Sequence, residues 1–324
     1  MRPIKIVGEE VWVLDQRLLP TREKWVKISS AEEAYSAIKN MVVRGAPLIG
    51  VVAAYGLALS AKKEQSYESY KKLGEWLKTA RPTAINLMWA VDRVLNAVQG
   101  RVEFDLAWKE AEKIFNEELE NARKIGENGE PLFEDGDVVL THCNAGALAT
   151  VDYGTALAPL RVAKEKGKRI RVFATETRPV LQGARLTAYE LVKDGFDVTL
   201  IADTAVGLTM MKGLVKKVIV GADRVLRDGT TLNKIGTFQV ATLAKKFNIP
   251  FYVALPSSTL DLKSRIEDVV IEERPAEEIF YVRGKRIAPR GVKAFNPAFD
   301  ITPPDLITAI ITEKGVFYPP FNFG

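Results

Sequence analysis

The sequence predicts an α/β protein: an N-terminal β extension and helical domain, followed by a Rossmann-like, doubly wound parallel-sheet domain. Three patterns predict it. Residues 4–28 alternate in polarity and carry β-formers, as in VWVLD and KWVKI. Between Ser30 and Gly126, apolar residues recur at three- and four-residue steps, the spacing of helices with one buried face. Beyond residue 130, short β-branched runs alternate with helical segments, as in parallel strands joined by right-handed crossovers.

Taken in order, residues 4–28 form a small hairpin-like extension. SSAEEAYSAIKNMV opens with a capping box, Ser30 with Glu33 three residues later. APLIGVVAAYGLALSA (46–61) contains Pro47, Gly50 and Gly56; it is shorter than the roughly 18 residues of a membrane span and reads as a buried helix. SYESYKKLGEWLKTA and PTAINLMWAVDRVLNAV are also helical in character. In FDLAWKEAEKIFNEELENARKIG, Phe104, Trp108, Ala111, Phe115, Leu119 and Ala122 share one face. Gly126 and Gly129 are expected to end that helix, with a domain boundary near residue 130 that divides the chain into 1–130 and 131–324. Strands follow at DVVLT (137–141), IRVFAT (170–175), DVTLIA (197–202), KVIVGA (217–222) and FYVAL (251–255). No GxGxxG or GxxxxGK[ST] is present, so nothing identifies a dinucleotide or a nucleoside triphosphate.

Composition narrows the function classes. Hydrophobic residues make up 47% of the chain, enough for a substantial core. One cysteine excludes an internal disulfide, fits a reducing cytoplasm and removes CxxC-type zinc or redox sites. A single histidine leaves little basis for a His-based zinc site, so neither metal nor cofactor is expected. The net charge of +5 comes from 46 basic and 41 acidic residues interleaved on helix faces. That is the pattern of a solvated surface, with no nucleic-acid or membrane partner implied; the mild positive excess suits a small anionic substrate.

In an open parallel sheet, ligands bind beyond the carboxyl ends of the strands. Those ends carry Thr141-His142-Cys143-Asn144, Glu176-Thr177-Arg178, Asp203-Thr204 and Asp223-Arg224. Asp203 reads best as a helix cap. His142 and Cys143 are neighbours on a strand and point to opposite faces, so a base–nucleophile pair between them is not expected and His142 reads as a packed, hydrogen-bonded residue. For Cys143 two readings stay open: an inert buried thiol, or a thiol activated because NAGALAT enters a helix N-terminus. Arg44, Arg81 and Arg178 each stand just before a proline that opens an apparent helix, where a cation is disfavoured unless an anion joins it. For Arg178 a salt bridge with Glu176 competes. The amides of Gly45 and Ala46 add donors beside Arg44, and Asn233 and Lys234 precede Gly236 at a helix start suited to phosphate or sugar hydroxyls. Together these features suggest a phosphorylated small molecule.

Several strings run nearly end to end and are specific: VRGAPLIG, RPTAINLMWA, THCNAGALAT, ETRPVLQGARLTAYEL, GADRV, NKIGTFQVA and NPAFDITPPDLI. With them the chain resembles the 5-methylthioribose-1-phosphate isomerase family of methionine salvage, which is related to the regulatory subunits of the translation-initiation guanine-nucleotide exchange factor. The resemblance implies a homodimer, with Cys143 as catalytic cysteine and Asp223 as catalytic acid. It also implies substrate binding by Arg44, Gly45, Ala46, Arg81, Gln182, Asn233 and Lys234. The implied reaction turns an aldose 1-phosphate into its ketose, by a thiolate base at Cys143 or by direct hydride transfer. Met88, Trp89 and Met210 are candidates for an apolar pocket around the methylthio tail. Two rivals remain: a ribose-1,5-bisphosphate isomerase, which needs further cations for a second phosphate, and a non-catalytic regulatory subunit that binds a sugar phosphate or nucleotide.

Overall fold

The computed structural model describes residues 1–63, 66–82 and 84–323; Thr83, within the PTAINLMWAVDRVLNAV stretch, lies outside them. The alternating N-terminal residues build β1 (Ile4–Val7), β2 (Glu10–Leu14) and β3 (Trp25–Ile28), a three-stranded antiparallel sheet with one strand more than a hairpin.

Five helices follow: α1 (Ala31–Lys39), α2 (Ala46–Ser60), α3 (Tyr67–Lys78), α4 (Ile85–Ala97) and α5 (Phe104–Gly129). The Ser30 hydroxyl caps α1 by accepting the Glu33 N–H at 3.4 Å, but the Glu33 carboxylate accepts the Ser29 N–H at 2.7 Å, so the box closes one residue earlier than its sequence motif implies. Every residue of α2 after Ala46 is buried, and its neighbours α1, α4 and α5 surround it. On α5, Ala111 and Ala122 are buried, and Phe104, Trp108, Phe115 and Leu119 pack against the same core as α2. Gly126 and Gly129 do not end α5; both lie inside it. A Cβ at Gly126 would press on Val162 and the Ala158 carbonyl, and one at Gly129 on Pro159, so these glycines let the next helix approach closely.

The second half contains β4 (Val138–Thr141), α6 (Ala158–Glu165), β5 (Arg171–Thr175), α7 (Ala188–Lys193), β6 (Asp197–Ile201), α8 (Val206–Met211) and β7 (Lys217–Val220). Then come β8 (Arg224–Leu226), β9 (Thr231–Lys234), α9 (Thr237–Lys246), β10 (Phe251–Ala254), β11 (Leu260–Asp261), α10 (Glu277–Phe280), β12 (Tyr281–Val282), β13 (Lys285–Arg286), β14 (Phe299–Thr302), β15 (Ala309–Thr312) and β16 (Gly315–Phe317). The five predicted strands are present within one or two residues of their expected ends. The main sheet runs β16-β15-β10-β7-β4-β5-β6, parallel except for β16. From β4, the chain winds to β5 and β6 on one side, then returns to place β7, β10 and β15 on the other. The reversal lies between β4 and β7, and this is where a doubly wound sheet opens a crevice at its carboxyl edge. The strands β15 and β16, and the small sheet β11-β8-β9-β14, whose β8 and β9 fall between β7 and β10 in the chain and whose β11 and β14 follow β10, were not expected from sequence.

One element of this fold makes a testable demand. Glu118, on α5, is 4% exposed; burial first, then the Glu313 charge, pushes its pKa up to about 8. A folded-state pKa above the unfolded one means the native state must hold a proton there, so stability is lost as pH rises from the unfolded carboxyl's value towards 8. Glu118→Gln is expected to raise Tm in calorimetry at pH 8 and above, with the gain vanishing near pH 4. An equal gain at both pH values would show that Glu118 ionisation does not limit stability.

Candidate active site

Cys143 follows β4 and Asp223 follows β7, the two strands on either side of the reversal. Both line a cavity of about 140 Å³ and a smaller one of about 50 Å³, which share Arg44, Gly45 and Ala46 as well. Arg81, Gln182 and Lys234 line the first, and Asn233 lines the second. All nine residues singled out from sequence are therefore brought around adjoining spaces. Arg44 and Arg81 come from loops of the helical half, Gln182 from the segment after β5, and Asn233 and Lys234 from β9. A wider groove of about 740 Å³, which shares Met41, Arg44, Val180 and Gln182, leads away from them.

Local constraints place each group. Gly45 caps α2 at φ +93°, and a Cβ there would overlap the Ala149 carbonyl, so only glycine fits between helix and loop. Arg44 donates to the side chain of Asn144 and, at 2.8 Å, to its carbonyl. Cys143 sits at φ +65°, uncommon for a residue with a side chain; its N–H is accepted by the Thr177 hydroxyl at 2.9 Å. Thr177, itself at φ +63°, is held by Asp203, whose carboxylate accepts the Thr177 and Arg178 N–H groups, each at 2.7 Å. This corrects the reading of Asp203 as a helix cap: it braces the turn after β5, and no side chain caps the short turn it begins.

The Arg178 expectation is also corrected. Arg178 lines neither cavity; its guanidinium donates to the carbonyls of Pro179 and Ile279, each at 3.0 Å, and forms no ion pair with Glu176 among the described residues. Only Pro47 opens its helix at once. Pro82 precedes the first residue of α4 by three positions, and Pro179 lies in a turn ahead of a π-helical segment at Gly183–Thr187. The start of α9 is not free for an anion, because the Asp300 carboxylate accepts the Gly236 N–H at 2.7 Å. Lys234 donates to the Ala298 carbonyl at 2.9 Å and lies 4.7 Å from the Phe299 ring centre.

His142 is the packed residue expected. It is 2% exposed, and burial lowers its pKa and keeps it neutral. Nε2 therefore donates to the Ile235 carbonyl at 2.9 Å while Nδ1 accepts from Thr175 at 2.7 Å. The helix-activated reading of Cys143 does not hold: NAGALAT forms only a 3-10 turn at Ala147–Ala149, and α6 starts at Ala158. Burial pushes the thiol pKa up, opposed by Arg44 and Lys234 and assisted by Asp223. Asp223 is open to water through the cavity, yet the protein around that cavity desolvates its carboxyl and raises its pKa against the pull of Lys234, Arg44 and Arg81. The Arg81 guanidinium forms no ion pair or hydrogen bond among the described residues, and burial lowers its pKa, with Arg274 and Arg44 adding repulsion.

Met88, Trp89 and Met210 do not line the cavity. Met210 is 3% exposed in the core beneath α9, and Trp89 packs against the helical core. The apolar walls are instead Met41, Ile49, Ile85, Val269, Val270 and Phe299. Sequence reasoning also missed Glu272 and Arg274, which line the same cavity. Arg274 precedes Pro275, so the arginine–proline signal could have found it, but Arg2–Pro3 carries that signal too, and Arg2 only pairs with Asp152 at the surface.

Residues 42–319 match the model of the initiation factor 2 subunit family. Methylthioribose-1-phosphate isomerase of Thermosipho africanus is 53% identical, over 97% of this chain and 94% of its own length. That of Acetivibrio thermocellus is 51% identical, over 99% and 98%. The structure of 5-methylthioribose 1-phosphate isomerase from Pyrococcus horikoshii OT3 is 44% identical and matches with a TM-score of 0.92, covering 99% of this chain and 93% of that one. The structure of translation initiation factor eIF-2B, subunit delta, from A. fulgidus is 51% identical with a TM-score of 0.90, covering 99% and 96%.

Since Cys143 is the sole cysteine, its ionisation is directly measurable. The rate of alkylation by iodoacetamide against pH is expected to give a midpoint above that of an ordinary cysteine, moved higher again in Arg44→Met. A midpoint near neutrality would mean that the cations, not burial, govern the thiol.

Proposed function

The chain belongs to the initiation factor 2 subunit family, and on that premise we propose that it is an aldose–ketose isomerase of methionine salvage. It converts 5-methylthioribose 1-phosphate to 5-methylthioribulose 1-phosphate. The observation that carries this reading is one cavity that presents a thiol and a desolvated carboxyl to three cations without a carboxylate partner among the described residues: Arg44, Arg81 and Lys234. A regulatory subunit that only binds its ligand has no use for Cys143 and Asp223 facing the same space.

The phosphate on C1 prevents the ring from opening to a free aldehyde, so the ring C1–O bond must be broken with acid help. Asp223, whose pKa desolvation raises, is placed to give a proton to the ring oxygen; such assistance is typically worth about a hundred- to ten-thousand-fold in rate. Arg44, Arg81 and Lys234 take the phosphate dianion, with the amides of Gly45 and Ala46 beside it, while Gln182 and Asn233 orient the sugar hydroxyls. Gln182 suits this role because its Oε1 is buried without a partner among the described residues. The bound dianion neutralises the cations that pull the pKa values of Asp223 and Cys143 down, so both groups hold their protons more firmly in the loaded site. A thiolate base is then harder to reach. Hydrogen passes from C2 to C1 as hydride, the O2 proton leaves to restore Asp223, and Cys143 shapes the field around the cationic carbon.

The division of the chain near residue 130, the cytoplasmic location and the homodimer belong to the same reading. For the dimer, the free edge strand β6 and the helix after it expose Leu200, Leu208 and Met211 at 49%, 50% and 63%. An unpaired, apolar sheet edge of this kind invites a partner copy.

A turnover assay with C2-deuterated 5-methylthioribose 1-phosphate tests the reaction. The substrate is expected to be isomerised with deuterium retained at C1, and Cys143→Ser and Asp223→Asn are each expected to lose activity by at least a thousandfold while still folding. Wash-out of the label would restore the thiolate base, and full activity in Cys143→Ser would return the thiol to a packing role. Light scattering should give twice the chain mass for the native protein and the single-chain mass for Leu208→Lys/Met211→Lys; a native monomer would refute the dimer.

A further inference from the structure

The rival substrate, ribose 1,5-bisphosphate, needs extra positive charge for its second phosphate, and the cavity does contain two more cations, Arg224, which lies 3.6 Å from the Asp261 carboxylate, and Arg274. Arg274 is engaged too. Its Nε donates to both oxygens of Glu278, at 3.0 and 2.9 Å, and its NH1 pairs with Glu272 at 3.2 Å. We propose that Glu272 and Glu278, by holding Arg274 between them, are specificity determinants that let this site take one phosphate and refuse a second. The inference rests on the proposed isomerase reading and concerns which sugar phosphates enter the same site.

The charges support it. Arg44, Arg81 and Lys234 have no carboxylate partner among the described residues and together match a single phosphate dianion. The Glu272–Arg274–Glu278 group contributes one positive and two negative charges, a net of minus one. Glu272 faces the reacting groups: its charge is felt by Arg81 and Asp223 alike. Beside it, Val269 and Val270 line the cavity and offer no hydrogen-bonding side chain, a surface suited to a thioether and hostile to a dianion. A second phosphate in so small a space meets a neutralised guanidinium, an uncompensated carboxylate and apolar wall. Rejection by like charge of this kind is a common source of selectivity.

The test measures two constants in each protein: KM for 5-methylthioribose 1-phosphate and the competitive inhibition constant of ribose 1,5-bisphosphate. Glu272 is 38% exposed in its side chain, so Glu272→Gln leaves no buried group unpaired and should fold normally. Glu272→Gln is expected to tighten the bisphosphate by about tenfold relative to the substrate, as removal of a like charge from a binding site should. Removing the second holder as well, in Glu272→Gln/Glu278→Gln, frees Arg274 from both carboxylates and should tighten the bisphosphate further, and adding Arg274→Met should erase that further gain. An unchanged ratio in Glu272→Gln, or a further gain that survives Arg274→Met, overturns the proposal. Failure of the underlying reading looks different: the unmodified protein would then not isomerise 5-methylthioribose 1-phosphate at all.

Discussion

A carboxylate without access to water organises the loop on which this site depends. Glu190, on α7, is 0% exposed. It accepts from the Ala147 N–H at 2.7 Å, from the amide of Asn144, and from the Arg161 guanidinium at 2.7 Å. Asn144 in turn holds Arg44, and its neighbour is Cys143. A buried charge is tolerated only when paired and hydrogen-bonded, and removing one partner of such a set typically costs about 3–5 kcal/mol. The loop after β4 is therefore fixed to a charge that cannot move, and the positions of the thiol and of Arg44 follow from it. Gly146 is part of the same constraint, because a Cβ there would overlap the Glu190 carboxylate.

The fold supplies the second requirement, a place where such a loop meets another. At the reversal between β4 and β7, the loops at the two carboxyl ends diverge and leave a crevice between them. Cys143 and Asp223 occupy its two sides. Their pKa values both rise for the same reason, desolvation; Arg44 and Lys234 oppose the rise of both, and Arg81 that of Asp223. An anion bound to these cations would weaken that opposition and let both values rise further.

Much of this was legible in the chain because strand periodicity and strand ends are local. The five central strands and the residues just beyond them follow from β-branched runs, and His142 was read as a packed residue from the alternation of a strand alone. The failures share a cause in tertiary contact. Gly126 and Gly129 look like helix ends, yet serve close helix packing that only the position of α6 reveals. Asp203 has the sequence of a cap but turns back to brace Thr177 on another strand end. The methylthio candidates Met88, Trp89 and Met210 rest on their places in the chain after Arg81 and Asp203, which cannot tell a core face from a cavity wall. Glu272 and Arg274 lie in a segment without regular structure, where no period exists to read.

The desolvation on which the chemistry rests belongs to neither half of the chain alone. The sheet half provides Cys143, Asp223 and Lys234; the helical half provides Arg44, Arg81 and the α2 and α4 starts that close over them. Apolar packing and polar contacts both fasten the two. Gly126 and Gly129 of α5 lie against Val162 and Pro159. At the cavity, Asn86 donates to Ser258 at 2.9 Å, Gln16 to the Leu148 carbonyl at 2.7 Å and Arg44 to the Asn144 carbonyl, with Gly45 against Ala149. Those at the cavity lie on its rim or one residue from it. Were the halves to separate by the width of a water molecule, the thiol would be solvated and the carboxyl further exposed, and both pKa values would fall back towards ordinary values. The raised pKa values of Cys143 and Asp223 are thus a property of the seam, and Arg44, one of the cations that oppose the rise, is also one of the residues that hold the seam shut.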